Sequence, residues 1–192
     1  MGLKAALHPS MKRTIFLLLF SSLSLFAGEK WPGVPFTEVR AYAWPADTET
    51  EAVILPDKSL MPGVLNKDGA LLTREQVKHL RAAVTGKHAG HPFAACYVPH
   101  NAFVFYDAAK KPVAFVEVCF TCLGYRAEPK ASAQNFDLLA LAAIFSEHSL
   151  PMGEHRDFQS FKKAFRAIVN DKPLKDTAGG LPANSGLETS AQ

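Results

Sequence analysis

The sequence has little cysteine: there are three in 192 residues, and all of them fall between Cys96 and Cys122. Leu123 follows the Cys-x-x-Cys pair where a c-type haem site needs histidine, so covalent haem is excluded. The chain also lacks Gly-x-Ser-x-Gly, His-Glu-x-x-His and a glycine-rich phosphate loop. The familiar sequence evidence for a hydrolase is therefore absent, and whether the chain is an enzyme stays open.

No apolar run is long enough to cross a membrane comfortably. The longest, over residues 14–26, falls short of the about 20 apolar residues that a bilayer span needs. Lys12 and Arg13 precede this run and small residues follow it from Ala27, which is the pattern of a secretory signal peptide. We therefore expect residues 1–27 to be a signal peptide. The mature protein would then be exported, either periplasmic or secreted, with no transmembrane anchor after cleavage.

The chain has no excess of positive or negative charge once this leader is removed. The chain has 21 basic and 18 acidic residues, and three of the basic ones, Lys4, Lys12 and Arg13, belong to the leader. The mature chain is neutral, which removes the main electrostatic reason to expect nucleic acid as a partner. Nothing in the composition identifies another partner.

Hydrophobic periodicity predicts a mixed domain over residues 28–170. Strand patterns come first, then a helix opened by a near capping box at Thr73, then a hairpin, then two helices. We predict an α+β fold in which an antiparallel sheet with a central hairpin (about 102–120) is packed by about three helices on one face. Glu117 lies within the apolar second strand of the hairpin. We expect it at an outward or edge position, and the alternative is a buried carboxylate near the cysteines that assists proton transfer. Residues 171–192 have the composition of a disordered tail.

The hairpin brings the three cysteines and His100 toward one another. Cys96 and His100 precede its first strand, and Cys119 and Cys122 end its second. Opposed residues in an antiparallel pair have a constant sum of numbers. Depending on the loop length, Cys96 faces Cys122 or His100 faces Cys119, with Cβ atoms about 4.5–5.5 Å apart. Pro99 is expected to interrupt or bulge the first strand.

Three hypotheses fit this cluster. The first is a soft-metal site for zinc or copper, in which Cys96, Cys119 and Cys122 supply thiolates and His100 supplies an imidazole. The second is a thiol–disulfide redox protein that uses Cys119 and Cys122 as its working pair, with Cys96 as a resolving thiol. The third is a binding module in which one disulfide only stabilises the hairpin, since disulfides persist in an oxidising compartment.

Overall fold

The computed structural model describes residues 31–170, so the predicted signal peptide (1–27) and the predicted tail (171–192) lie outside the described residues. Five strands and three helices follow one another along this part of the chain. They are β1 (Glu38–Ala43), β2 (Ala70–Leu71), α1 (Arg74–Thr85), β3 (Asn101–Tyr106), β4 (Pro112–Cys119), β5 (Gly124–Glu128), α2 (Leu138–Glu147) and α3 (Phe158–Asn170).

The strands form one antiparallel sheet in the order β2-β1-β3-β4-β5. The predicted hairpin is β3–β4 and lies in the middle of the sheet, and the predicted α+β class is confirmed. From Asn101 opposite Val118 to Phe105 opposite Ala114, the strands pair in the predicted register that sets His100 opposite Cys119. β3 begins only after Pro99, as expected for a residue that cannot donate a backbone hydrogen bond.

The two faces of the sheet carry separate cores because successive strand side chains alternate in direction. One face packs against all three helices, with Phe103 and Val116 from the strands meeting Leu80, Leu141 and Phe161. The other face presents Tyr42, Ala102, Val104 and Phe115 from the strands. It is covered by the segment after β1, whose contributors to this second core are Trp44, Val53, Ile54, Leu60, Met61 and Val64. The helices therefore lie on one face, as predicted.

The helix starts follow the sequence signals. Thr73 accepts a hydrogen bond from the Gln76 amide and the Gln76 side chain accepts one from the Thr73 amide, so the capping box is complete. Asp137 caps α2 in the same way through the Ala140 amide. In the segment after β1, a single isolated bridge joins Ile54 and Leu60. Within 31–170, no helix is long and apolar enough to span a membrane.

Candidate functional site

The Cys-x-x-Cys pair lies in the turn between β4 and β5. Cys119 is the last residue of β4 and pairs with Gly124, the first residue of β5, so residues 120–123 form a tight connection. Leu123 completes this turn with a φ of 57°, in the left-handed region. The turn brings the Cα atoms of Cys119 and Cys122 to 5.6 Å, and their sulfurs form a disulfide.

The two sulfurs of this disulfide have different surroundings. Both residues are buried, Cys119 at 1% exposure and Cys122 at 4%. The Cys122 amide donates a hydrogen bond of 3.2 Å to Cys119 Sγ. A donor at this position stabilises negative charge on Cys119 more than on Cys122. Cys119 is therefore the better leaving thiolate of the pair.

Cys122 borders an apolar groove of about 210 Å³. Two side chains of the groove, Phe93 and Ile168, are large hydrophobic groups that remain 47% and 39% exposed. The Ala94 amide donates to the Cys122 carbonyl at 2.9 Å and fixes one wall beside the disulfide. The complete lining is Pro92, Phe93, Ala94, Thr121, Cys122, Leu123 and Ile168. Cys119 is not part of this lining, so Cys122 is the residue of the pair that borders the groove.

The ring of Tyr97 covers the same turn from another side. A Cβ placed on Gly124 would stand 2.6 Å from Tyr97 Cδ2 and 3.7 Å from Cys122 Sγ, so the ring lies against the Gly124 backbone beside that sulfur. Burial and the nearby carboxylate of Glu117 raise the pKa of Tyr97. Its neighbour Cys96 is exposed and is the free cysteine of the residues that the structure describes.

His100 is buried just before β3, with one ring nitrogen bonded and one free. Nε2 lies 3.1 Å from the Thr48 carbonyl, which can only accept, so Nε2 carries the proton. In the neutral ring Nδ1 then carries the lone pair, and it has no hydrogen-bond partner. This nitrogen lies 3.6 Å from the position of a Cβ on Gly153, and Thr121 Oγ1 lies 3.1 Å from the same point.

The four predicted site residues are thus only partly assembled. Cys119 and Cys122 are joined, the segment that holds Cys96 touches their turn, and the register of β3 and β4 continues toward His100 opposite Cys119. A disulfide sulfur is not a thiolate ligand, so the four-ligand set is not formed in this oxidised state. Among the residues from 31 to 170, no three His, Cys, Asp or Glu side chains are grouped to hold a metal ion.

Glu117 is where the expectation of an outward or edge position was wrong. Its side chain is fully buried under the segment after β1. One carboxylate oxygen accepts the amides of Val53 and Ile54 at 2.9 and 2.6 Å, and the other accepts Arg126 at 2.7 Å. Burial raises the pKa of Glu117, while Arg126 and the two amides oppose that shift. The carboxylate therefore anchors the covering segment to the centre of the sheet.

His91 is a second polar residue with a role that periodicity does not predict. It is 6% exposed and packs edge-on against Tyr125 and Phe165. Its Nδ1 donates to the Pro92 carbonyl at 3.3 Å, next to the groove wall. Burial lowers the pKa of His91, opposed by hydrogen bonding to backbone carbonyls.

Comparison with known proteins adds no family to this picture. No protein-family model, curated protein or solved structure matches the chain.

Proposed function

We propose that the protein is an exported thiol–disulfide exchange protein whose working pair is Cys119 and Cys122. The observation that carries the proposal is a short-range disulfide in which one of the two residues, Cys122, borders an apolar groove that is open to solvent. Such a groove admits a thiol-bearing segment of another protein to one sulfur of the pair while the other stays covered.

Which two of the three cysteines form the disulfide supports an exchange function over a purely structural bond. In the chain-entropy description, the bond between Cys119 and Cys122 closes four residues and stabilises the fold by about 2 kcal/mol. A bond from Cys96 to Cys122 would close 27 residues and contribute about 3.5 kcal/mol by the same relation. Of the disulfides that these three cysteines could form, the observed one closes the shortest loop and stabilises the fold least. This favours a chemical role for the bond.

The reaction follows from the different surroundings of the two sulfurs. A substrate thiolate attacks Cys122 Sγ from the groove, a substrate–Cys122 disulfide forms and the Cys119–Cys122 bond breaks. Cys119 leaves as a thiolate that accepts the hydrogen bond of the Cys122 amide. A second substrate thiolate then attacks the substrate sulfur of the mixed disulfide and releases Cys122 as a thiolate. The substrate dithiol is oxidised to a disulfide and the protein pair is reduced. The reverse sequence reduces a substrate disulfide.

The test compares two variants that each keep one cysteine of the pair, both carrying Cys96→Ser. The probe is a disulfide-linked dimer of a short cysteine peptide with leucine beside the cysteine, and the reading is the mixed disulfide by intact mass. The Cys119→Ser variant keeps the groove-facing Cys122 and should form the adduct at least about tenfold faster than Cys122→Ser, because attack requires access as well as a thiolate.

The comparison is matched because both variants lose the same disulfide and so the same chain constraint. Equal, slow reaction of the two folded variants, with rapid reaction only in denaturant, would contradict exchange at Cys122 and leave the third hypothesis, a structural disulfide. A faster reaction of Cys122→Ser would reverse the roles proposed for the two sulfurs.

The soft-metal hypothesis remains a second candidate, for the reduced protein. It is favoured by His100, because metal-binding histidines usually donate one ring N–H to a carbonyl or carboxylate and offer the other nitrogen to the metal. His100 has this arrangement, with Nε2–H on the Thr48 carbonyl and Nδ1 free. Reduced Cys119 and Cys122, and the exposed Cys96, would supply the thiolates for zinc or copper.

This candidate is tested by titrating the reduced protein with Co²⁺ as a spectroscopic substitute for zinc. A tetrahedral thiolate site predicts a saturating absorption band at one equivalent, weakened at least about tenfold in affinity by His100→Gln. No saturable band, or a band that His100→Gln leaves unchanged, would contradict a site that includes this histidine.

A further inference from the structure

The residues on both sides of Cys96 along the chain contact the turn that holds the working pair. Two residues before it, the Ala94 amide donates to the Cys122 carbonyl at 2.9 Å. One residue after it, the ring of Tyr97 lies against Gly124 and beside Cys122 Sγ. Since consecutive Cα atoms are about 3.8 Å apart, Cys96 cannot be more than about 8 Å from the Cα of Ala94. The third thiol of the chain is therefore a neighbour of the Cys-x-x-Cys turn.

Exposure divides the three sulfurs into an outer one and an inner pair. Cys96 is exposed, whereas Cys122 is 4% and Cys119 1% exposed. The residues that join Cys96 to the turn end at Cys122 and Gly124, and none of the contacts described above joins its segment to Cys119. The contacts that flank Cys96 therefore point to Cys122, rather than Cys119, as the sulfur that a thiolate at position 96 would attack.

We propose that Cys96 is a relay thiol that carries the disulfide between the buried pair and the surface. The Cys96 thiolate attacks Cys122 Sγ, so that a Cys96–Cys122 bond forms while the Cys119–Cys122 bond breaks. Cys119 leaves as a thiolate and accepts the hydrogen bond of the Cys122 amide. The proton of Cys96 goes to solvent, and the number of disulfides is unchanged, so the step needs no oxidant.

The relay deepens the proposed exchange function and rests on it, because it specifies the substrate class and the point of entry. With the bond between Cys96 and Cys122, a sulfur that belongs to an exposed residue becomes open to attack. A partner protein with a dithiol can then attack Cys96 Sγ without inserting into the groove. The relay therefore suits a folded redox partner, whereas direct attack at Cys122 suits an extended segment lying along Phe93 and Ile168.

The experiment compares Cys119→Ser with Cys122→Ser, both with Cys96 intact, in a buffer of reduced and oxidised glutathione. Intact mass and peptide mapping identify the products. The relay predicts that Cys119→Ser loses two hydrogens and yields a peptide linked through Cys96 and Cys122, in at least about tenfold excess over the glutathione adduct, because the two thiols are held together. Cys122→Ser should yield little bond between Cys96 and Cys119. Equal linkage in both variants, or glutathione adducts only, would contradict the relay.

Failure of the relay is distinguishable from failure of exchange. In Cys96→Ser the pair Cys119–Cys122 is alone, and its equilibrium with glutathione reports exchange without any relay. If this pair equilibrates while Cys119→Ser forms no internal bond, the relay is wrong and the exchange function stands. If this pair resists reduction until the protein unfolds, the exchange function falls, and the relay that rests on it falls too.

A measurement on the wild-type chain covers the case in which Cys119→Ser does not fold. The protein is equilibrated with glutathione at pH 8, quenched in acid and mapped for its disulfide isomers. Recovery of a peptide linked through Cys96 and Cys122 supports the relay. Exclusive recovery of the Cys119–Cys122 bond, across buffers that reduce the pair from a tenth to nine-tenths, contradicts it.

Discussion

Gly124 is the residue on which the covering of the disulfide depends. A Cβ at this position would stand 2.6 Å from Tyr97 Cδ2, closer than side-chain carbons approach, so Gly124→Ala must displace the ring. We expect a loss of about 1–3 kcal/mol in the free energy of unfolding, as for other overpacked sites. Faster reduction of the disulfide should accompany it, because Tyr97 would no longer lie beside Cys122 Sγ. Urea unfolding and the rate of reduction by a small thiol measure the two effects.

The matched control for this substitution is the double variant with Tyr97→Ala, which removes the ring that the new methyl group meets. If the contact explains the loss, adding Gly124→Ala to Tyr97→Ala should cost much less than adding it to the wild type. Additive losses would show that Tyr97 does not mediate the effect.

His91 makes stability depend on pH in a defined direction. Its pKa is lowered by burial in the folded protein, so the unfolded chain binds a proton at a higher pH than the folded chain does. The stabilisation is therefore full above the ordinary pKa of 6.5 and is lost as the pH falls through the lowered folded value. Urea unfolding between pH 7.5 and 5 should show a decline that His91→Phe flattens.

The control for this pH dependence is His79→Gln on the exposed surface of α1. It should keep the wild-type decline. A profile that His91→Phe leaves as steep as the wild type would assign the decline to other groups.

Among the elements, β4 contributes both to the disulfide, through Cys119, and to the covering of the sheet, through the buried carboxylate of Glu117. Glu117→Ala would leave two backbone amides and Arg126 without their acceptor. We expect it to lower the free energy of unfolding by about 2–4 kcal/mol. Glu117→Gln, which keeps an acceptor oxygen for the amides, should lose less. Urea denaturation compares the two.

An ion pair whose basic partner is exposed provides the control for that experiment. Lys110 Nζ lies 2.5 Å from Glu38 Oε2, and the Lys110 side chain is 65% exposed. Lys110→Ala should therefore change stability by less than about 1 kcal/mol. A loss from Glu117→Ala no larger than this would contradict the anchoring role.

The same elements show what the sequence could predict. α1 and α2 carry their caps in the sequence, and β3–β4 is a local hairpin of β-branched and aromatic residues, so local rules suffice for them. β5 was not predicted because its five residues, Gly124–Glu128, are too few to show a clear strand pattern. They form a strand through their pairing with β4. β2 has two residues and no pattern at all. The burial of Glu117 depends on a segment more than sixty residues earlier in the chain, which no local rule reaches.

Part of the candidate site could likewise be predicted from the sequence, and part could not. The closeness of the cysteines followed from the hairpin, and the register toward His100 opposite Cys119 was one of the two predicted alternatives. Which sulfurs pair, and which of them faces solvent, depends on the turn at residues 120–123 and on the packing of Tyr97 and Phe93 around it. Those are tertiary contacts between segments about thirty residues apart, so the sequence left three hypotheses open.

At the scale of the whole molecule, two separate cores hold the sheet while the disulfide lies at the end of the central hairpin. Its loss should cost about 2 kcal/mol and leave the fold intact, since the bond closes only four residues. A protein of this size that keeps its fold without the bond can cycle between oxidised and reduced states, which exchange requires.

The most direct test of this account is the reduction potential of the Cys119–Cys122 pair in the folded protein carrying Cys96→Ser. Equilibration with glutathione buffers, followed by acid quench and thiol alkylation, gives the reduced fraction. Exchange predicts a potential above about −300 mV, in the range of thiol–disulfide exchange proteins, with the protein still folded when reduced. A potential below about −300 mV, or reduction only together with unfolding, would contradict exchange and identify the bond as structural.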